Sequence, residues 1–193
     1  MKLIGIGGTN GSGKDTLSQI LADDYGWLFV SASGDLIIPE LKRRGQPLER
    51  EQMAALTAEW NRTNKGAVVD KAIEKFDVMS KTNPYNGLVI SSIRHPWEVD
   101  RIHAHGGQVV WVDADPKVRY ERIFNRGQGD KDCKTFEQFQ AEEKAEMEHS
   151  GDSATLNMAS VKATADIFIT NDDNDIGKFK KNVQEQLKNY LIH

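Results

Sequence analysis

The sequence predicts a three-layer α/β sandwich built on a five-stranded parallel sheet. Three observations carry this expectation. Five short apolar runs recur along the chain, near residues 2–6, 27–31, 88–91, 108–112 and 166–170, with turn residues around them. The stretches between the runs hold apolar residues at helical spacing. A glycine-rich loop, Gly8-Thr9-Asn10-Gly11-Ser12-Gly13-Lys14-Asp15-Thr16, stands between the first run and the first helical pattern. Parallel strands cannot be joined by tight hairpins, so alternation with helices of this length implies a parallel sheet. The 193 residues read as one domain.

The elements follow in order. The first strand, about Lys2–Ile6, feeds the glycine-rich loop. The helix behind it sets Leu17, Ile20 and Leu21 on one face and stops near Tyr25, where Gly26 can take a left-handed conformation. Trp27–Ser31 is a short strand. Ser33-Gly34-Asp35-Leu36 opens a helix that runs to about Arg44, and Pro47 interrupts the chain. A longer helix then carries Met53, Leu56 and Trp60, a stripe that reads as core rather than as a base-stacking platform. After Asn64-Lys65-Gly66 a further helix repeats Val69, Ile73 and Phe76. Asn83–Gly87 is a turn cluster.

Leu88–Ser91 is apolar enough for the middle of a parallel sheet. Pro96 can start the next helix, and Gly106-Gly107 closes it. Gln108–Val112 is the fourth strand. Asp115-Pro116 supplies an N-cap and a first-turn proline to a helix bearing Arg119, Arg122 and Arg126. Gly127–Lys134 is a polar loop, and Thr135 with Gln138 makes a capping box for the helix beyond. Asp166–Thr170 is the fifth strand. The last helix aligns Ile176, Phe179, Val183, Leu187 and Tyr190.

Composition narrows the function. Charged residues at 28% and apolar residues at 38% are ordinary for a soluble globular protein. A net charge of −4 argues against a general binder of nucleic-acid polymers. No apolar run approaches membrane-spanning length, and the start of the chain shows no signal-peptide pattern. Cys133 is the only cysteine, so no internal disulfide forms and a reducing, cytoplasmic setting is expected.

The chemistry lies in the loop. Gly8, four residues, then Gly13-Lys14 is the spacing of the P-loop, whose backbone N–H groups cradle the phosphates of ATP or GTP. Glycines let those N–H groups turn inward, the next helix adds its positive end, and Lys14 adds a point charge. Residues Gly8 through Thr16 are therefore the expected donor-binding set. Ser or Thr commonly follows the lysine and holds Mg2+. Here Asp15 follows and Thr16 comes one later.

Ligands of such sheets bind beyond the carboxyl ends of the strands, which places the P-loop, Asp35, Arg94 and Asp113 around one cleft. Arg119, Arg122 and Arg126 share one helix face, either a solvated surface or a source of charge for a moving phosphoryl group. Arg126 adjoins the polar loop and suits a lid. Arg94 either grips an anion or makes a structural salt bridge. Asp35 either holds an acceptor and takes its proton or caps a helix. His103 and His105 lack further metal ligands nearby, and the acidic run Glu137–Glu148 reads as a solvated helix face.

Together these residues resemble the nucleoside monophosphate kinase group of P-loop proteins. Ser12-Gly13-Lys14-Asp15-Thr16 resembles the loop of phage deoxynucleoside monophosphate kinases, and adenylate kinases show a similar offset, Gly-Lys-Gly-Thr. Ser31 to Leu36 is similar to the adenylate-kinase segment Ile-Ser-Thr-Gly-Asp-Leu, which lines the acceptor site. Ile38 stands where that family has an arginine. Ile90 to Arg94 resembles a strand ending in Asp-Gly-x-x-Arg, whose arginine grips an acceptor phosphate. Ser91 stands where that strand's aspartate fixes Mg2+ through water. Ala165 to Asn171 resembles the last strand of dephospho-coenzyme A kinases and of an uncharacterised archaeal family of adenylate-kinase-like proteins.

The resemblance implies an ATP- and Mg2+-dependent kinase that phosphorylates a nucleoside or deoxynucleoside monophosphate. It implies catalytic roles for Lys14, Asp35, Arg94, Arg122 and Arg126. It also implies a helical acceptor-binding insertion at about 35–80 and a lid at about 126–150. Dephospho-coenzyme A kinase and a nucleotide-dependent switch are the alternatives. For the metal, either Asp15 takes over from the missing strand aspartate, with Thr16 and Ser91 beside it, or Asp15 faces solvent and Thr16 serves alone.

Overall fold

The computed structural model describes residues 1–125, 135–147 and 157–191. Strands β1 (Leu3–Gly8), β2 (Leu28–Ser31), β3 (Leu88–Ser91), β4 (Gln108–Asp113) and β5 (Ile167–Thr170) form one sheet in the order β2-β3-β1-β4-β5. Every pairing is parallel, as expected from the alternating pattern. In the central register Gly5 of β1 faces Ile90 on β3 and Val109 on β4. β1 is buried along its whole length and runs two residues beyond the predicted Ile6, because Gly7 and Gly8 still pair with Trp111 and Val112.

Helices α1 (Lys14–Tyr25) and α9 (Ile176–Leu191) cover one face of the sheet. Leu17, Leu21, Phe179, Val183 and Leu187 pack there on Ile4, Ile6, Val110 and Ile169. On the opposite face lie α4 (Ala67–Met79), α5 (Pro96–Ala104) and α8 (Met158–Thr164), whose Val69, Ala72, Val99, Ile102 and Val161 pack on Leu3, Leu88, Val109 and Trp111. Burying one such aliphatic side chain is worth about 1.5–3 kcal/mol, and the two clusters fix the three layers. Ile176 is the exception on α9, 52% exposed at its first position.

Two helices depart from the sequence reading. The predicted Ser33–Arg44 helix opens as a wide π-helical turn over Ala32–Ile37 and only then becomes α2 (Ile38–Arg43). Pro39 has no N–H to give to the carbonyl four residues back, so a regular α-ladder cannot run through this point. Helix α8 was not visible in the sequence. It is two turns of mixed small residues, started by Asn157, whose Oδ1 accepts from the Ser160 N–H at 3.1 Å. The other two helices between β2 and β3 matched expectation. The α2–α3 pair, with α3 at Arg50–Thr63, holds a small core of Ile37, Leu41 and Leu56 against Met53 and Trp60. Among the described residues no helix is long and apolar enough to cross a membrane.

Candidate active site

The P-loop folds as its glycines require. Gly11 and Gly13 adopt φ values of 79° and 97°, the left-handed region that favours glycine. Space closes the same positions. A Cβ on Gly11 would sit 2.7 Å from the Arg119 carbonyl, and one on Gly13 would sit 2.4 Å from Asn171 Nδ2. Asn171, just past β5, donates that amide to the Ser12 carbonyl at 2.8 Å. Thr9 Oγ1 donates to Asp113 Oδ1 at 2.8 Å, tying the loop to the end of β4. Burial raises the Asp113 pKa, but the bonds from Thr9 and Lys162 outweigh it and hold the carboxyl below its ordinary value. Asp113 is thus a brace beneath the loop.

Helix α6 (Pro116–Asn125) divides the basic face. Arg119 is 3% exposed, not solvated. Its Nε donates to the Ala114 carbonyl at 2.7 Å, and its guanidinium pairs with Glu143 of α7 (Phe136–Met147), with Nη2 to Oε2 at 3.0 Å. Arg122 reaches the P-loop: Nη1 donates to the Gly11 carbonyl at 3.3 Å, while Nε and Nη2 hold Asn174 Oδ1 and the Asp173 carbonyl at 2.9 and 2.8 Å. Arg126 and the stretches 126–134 and 148–150 of the predicted lid lie outside the described residues. The acidic helix is less solvated than its sequence implied, since Glu143 faces Arg119 and Glu146 lines a cavity. The Thr135–Gln138 capping box is present, at 2.9 and 3.3 Å.

A cavity of about 410 Å3 opens beside the P-loop at the carboxyl ends of the strands. Lys14 and Arg94 share its wall, and Met53, Ala54 and Ala58 of α3 with Val68 of α4 form an apolar side. Arg94 is half-buried, and its guanidinium has no hydrogen-bonded or ion-paired partner among the described residues. Behind it stands Glu98, a wall residue that sequence reading missed. Glu98 is 2% exposed and accepts the main-chain N–H groups of Arg94 and His95 at 2.8 and 3.1 Å. Burial pushes its pKa up to about 7, against the pull of those two N–H bonds. Its signal was in the sequence: a glutamate three positions after a helix N-cap, with Pro96 between.

Between β3 and Arg94 the backbone is strained. Ser92 has φ 71°, the one non-glycine residue with positive φ among those described, and it too lines the cavity. Asp35 is not on that wall. Its Oδ1 accepts from Lys75 Nζ at 2.7 Å and its Oδ2 from the Ser31 N–H at 2.8 Å, so its carboxylate braces the π-turn against α4. Asp15 is exposed in the first turn of α1 and accepts from the Ser91 hydroxyl at 3.0 Å; Thr16 is exposed beside it. His103 is engaged by Asp166, Nε2 to Oδ2 at 2.8 Å.

A five-stranded parallel sheet, a P-loop at its central strand and a cationic cavity beyond the strand ends define the P-loop kinase fold. More particularly, a family model described as an AAA domain matches residues 4–148, and the chain belongs to that family. The chain is 27% identical to a UPF0200 protein from Pyrobaculum aerophilum, over 97% of each chain. It is 30% identical to shikimate kinase from Gloeobacter violaceus, over 60% of this chain and 58% of that one. Among solved structures it resembles TT1252 from Thermus thermophilus, with TM-score 0.64, 18% identity and coverage of 99% and 98%. It also resembles shikimate kinase from Acinetobacter baumannii in complex with shikimate, with TM-score 0.57, 14% identity and coverage of 98% and 92%.

Proposed function

We propose that this protein is an ATP- and Mg2+-dependent phosphotransferase that moves the γ-phosphoryl group to a nucleoside or deoxynucleoside monophosphate. The observation that carries the reading is Arg94. A half-buried guanidinium with no bonded partner among the described residues sits on the same cavity wall as Lys14. An arginine fork matches a phosphate or carboxylate bidentately, so it suits the anionic end of an acceptor. The apolar side formed by Met53, Ala54, Ala58 and Val68 suits a flat base.

In this reading the loop N–H groups and Lys14 hold the donor's phosphates. Lys14 and Arg122 concentrate positive charge and hydrogen bonds near the transferring group. Arg94 holds the acceptor in line. Asp35, tied to Lys75 and Ser31, acts by holding the π-turn that forms one edge of the cavity. The lid, with Arg126, would exclude water on closure. The residues present fit Mg2+: Asp15, Thr16 and Ser91 offer a carboxylate and hydroxyls, the hard oxygen ligands that this ion prefers. Bound there, Mg2+ would neutralise charge on the donor's phosphates. The setting is cytoplasmic in this reading.

A second reading is favoured by the shikimate kinase relative: a hydroxylated ring acid whose carboxylate takes the same fork. The experiment is an acceptor screen with ATP and Mg2+, covering nucleoside and deoxynucleoside monophosphates, dephospho-coenzyme A, shikimate and gluconate, with ADP as the readout. ADP formed with a monophosphate supports the first reading. ADP formed only with one of the other acceptors replaces the monophosphate with that compound. ADP released at the same rate without any acceptor points to a switch and overturns the kinase.

A further inference from the structure

The feature that the proposed chemistry leaves unused is Glu98. A carboxylate that is 2% exposed in a cavity wall is costly unless something holds it. Two main-chain N–H groups hold Oε2, those of Arg94 and His95. Oε1 has no hydrogen bond to a described residue. A glutamine at this position would cap the helix equally well, because the capping box accepts either side chain. What the glutamate adds is a negative charge, placed behind the one arginine of the wall whose guanidinium waits at the end of β3.

We propose that Glu98 is a positioning residue for Arg94: it fixes the path of the Arg94 backbone, supplies its counter-charge while the cavity is empty, and takes up a proton when an anion binds Arg94. The geometry requires the coupling. Glu98 and an anion on Arg94 would otherwise set two negative charges against one guanidinium in the same cavity wall, and like charges so placed disfavour each other's ionised form. The raised pKa of the carboxyl, about 7, brings that proton uptake into the neutral range. Other charged or titratable groups on the wall are Lys14, Arg50, His95 and Glu146, while α4 and α8 contribute only Val68 and Met158. Further along α5, Arg101 faces Asp70 of α4 at 3.5 Å.

The inference rests on Arg94 as the anion grip of the proposed function, so its test avoids turnover. Sulfate serves as the probe, because it does not titrate near neutrality. Its binding is measured by calorimetry in two buffers of different ionisation enthalpy, from pH 6 to pH 8, and the Arg94-dependent part is the difference from Arg94→Ala. In the wild type that part should weaken up to about tenfold over this range and take up about half a proton per sulfate at pH 7, rising towards one at pH 8. Glu98→Gln should bind as tightly as the wild type at pH 6, vary less than about twofold with pH and take up no proton. Because His95 and Glu146 remain in that variant, their titration cancels. Glu98→Ala, which loses the cap as well, should bind about tenfold more weakly than Glu98→Gln at every pH. The same pH profile in wild type and Glu98→Gln would overturn the proposal, and so would binding in Glu98→Ala as tight as in Glu98→Gln. If sulfate shows no Arg94-dependent binding at all, the anion grip itself falls.

Discussion

The Ser91 hydroxyl donates to the Asp15 carboxylate across 3.0 Å, joining the end of β3 to the first turn of α1. The residue that follows the P-loop lysine is therefore in contact with the strand end beside it. A carboxylate near polyphosphate is repelled at close range unless a cation lies between them. The helix dipole favours Asp15 by only about 0.3–1 kcal/mol. Asp15→Asn should therefore raise the Mg2+ concentration for half-maximal activity by about tenfold, as loss of a metal-supporting group commonly does. Ser91→Ala, which removes only the hydroxyl bonded to that carboxylate, should raise it less. An unchanged Mg2+ requirement in Asp15→Asn would assign Asp15 to the solvent face and leave Thr16 alone.

The cavity wall separates donor and acceptor effects. Arg94→Lys keeps the charge but loses the planar fork, so the KM for the acceptor should rise about tenfold or more. The KM for ATP should change by less than about twofold, because in this reading the P-loop N–H groups and Lys14, not Arg94, hold the donor. Initial-rate kinetics with each substrate varied separately decides the matter. Equal effects on both substrates would mean that Arg94 holds the fold rather than the acceptor.

Much of this architecture was legible in the chain, and the misses have physical causes. The strands announced themselves because a central parallel sheet is apolar on both faces, as Leu88–Ser91 is. The P-loop was legible because its glycines answer a local need for left-handed backbone. Arg119 was not, because its burial depends on Glu143, 24 positions on in a helix whose own sequence looks solvated. Asp35 shows the same limit: its partner Lys75 is 40 positions away. Helix α8 escaped because seven residues hold too few apolar positions for a period to emerge. Glu98 was legible in principle, as the third residue of a helix announced by Pro96, but a cap signal alone does not reveal that the carboxylate faces a cavity.

Lys14 tests the donor half of the site. Lys14→Ala removes the point charge aimed at the terminal phosphates, and phosphoryl transfer should fall by at least about a hundredfold. Its far-UV spectrum and melting temperature should stay close to those of the wild type, since Lys14 is not a core residue. Near-normal turnover in the folded variant would contradict the kinase reading.

Ser92 carries backbone strain that glycine would relieve. At φ 71° a residue with a Cβ costs about 1–2 kcal/mol relative to the ordinary regions. Glycine removes that cost but adds unfolded-state entropy, about 0.4–1 kcal/mol. Ser92→Gly should therefore be net stabilising by up to about 1.6 kcal/mol, read as a higher denaturation midpoint at unchanged slope. A lower midpoint would mean that the Ser92 side chain makes a contact worth more than the strain.

Glu98 should also set how stability varies with pH. Its carboxyl titrates near the ordinary value of 4.5 in the unfolded chain and at about 7 in the folded one. Between those values the folded state binds the extra proton, so stability falls as pH rises through this window and levels off above it. The gap corresponds to a penalty of about 3 kcal/mol at pH 8. Glu98→Gln keeps the cap and cannot ionise. It should unfold at higher denaturant than the wild type at pH 8, and the two should converge as pH approaches 4.5. The sign distinguishes Glu98 from Asp113, whose carboxyl is held below its ordinary value. Asp113 stabilises the fold at neutral pH and loses that contribution only as pH falls through its lowered pKa. Chemical denaturation of wild type and Glu98→Gln at pH 5, 6.5 and 8 reads the first effect, and comparison of wild type with Asp113→Asn continued below pH 4 reads the second. If Glu98→Gln is the less stable protein at pH 8, the buried carboxylate is worth more to the fold charged than neutral, and the assignment of its proton is wrong.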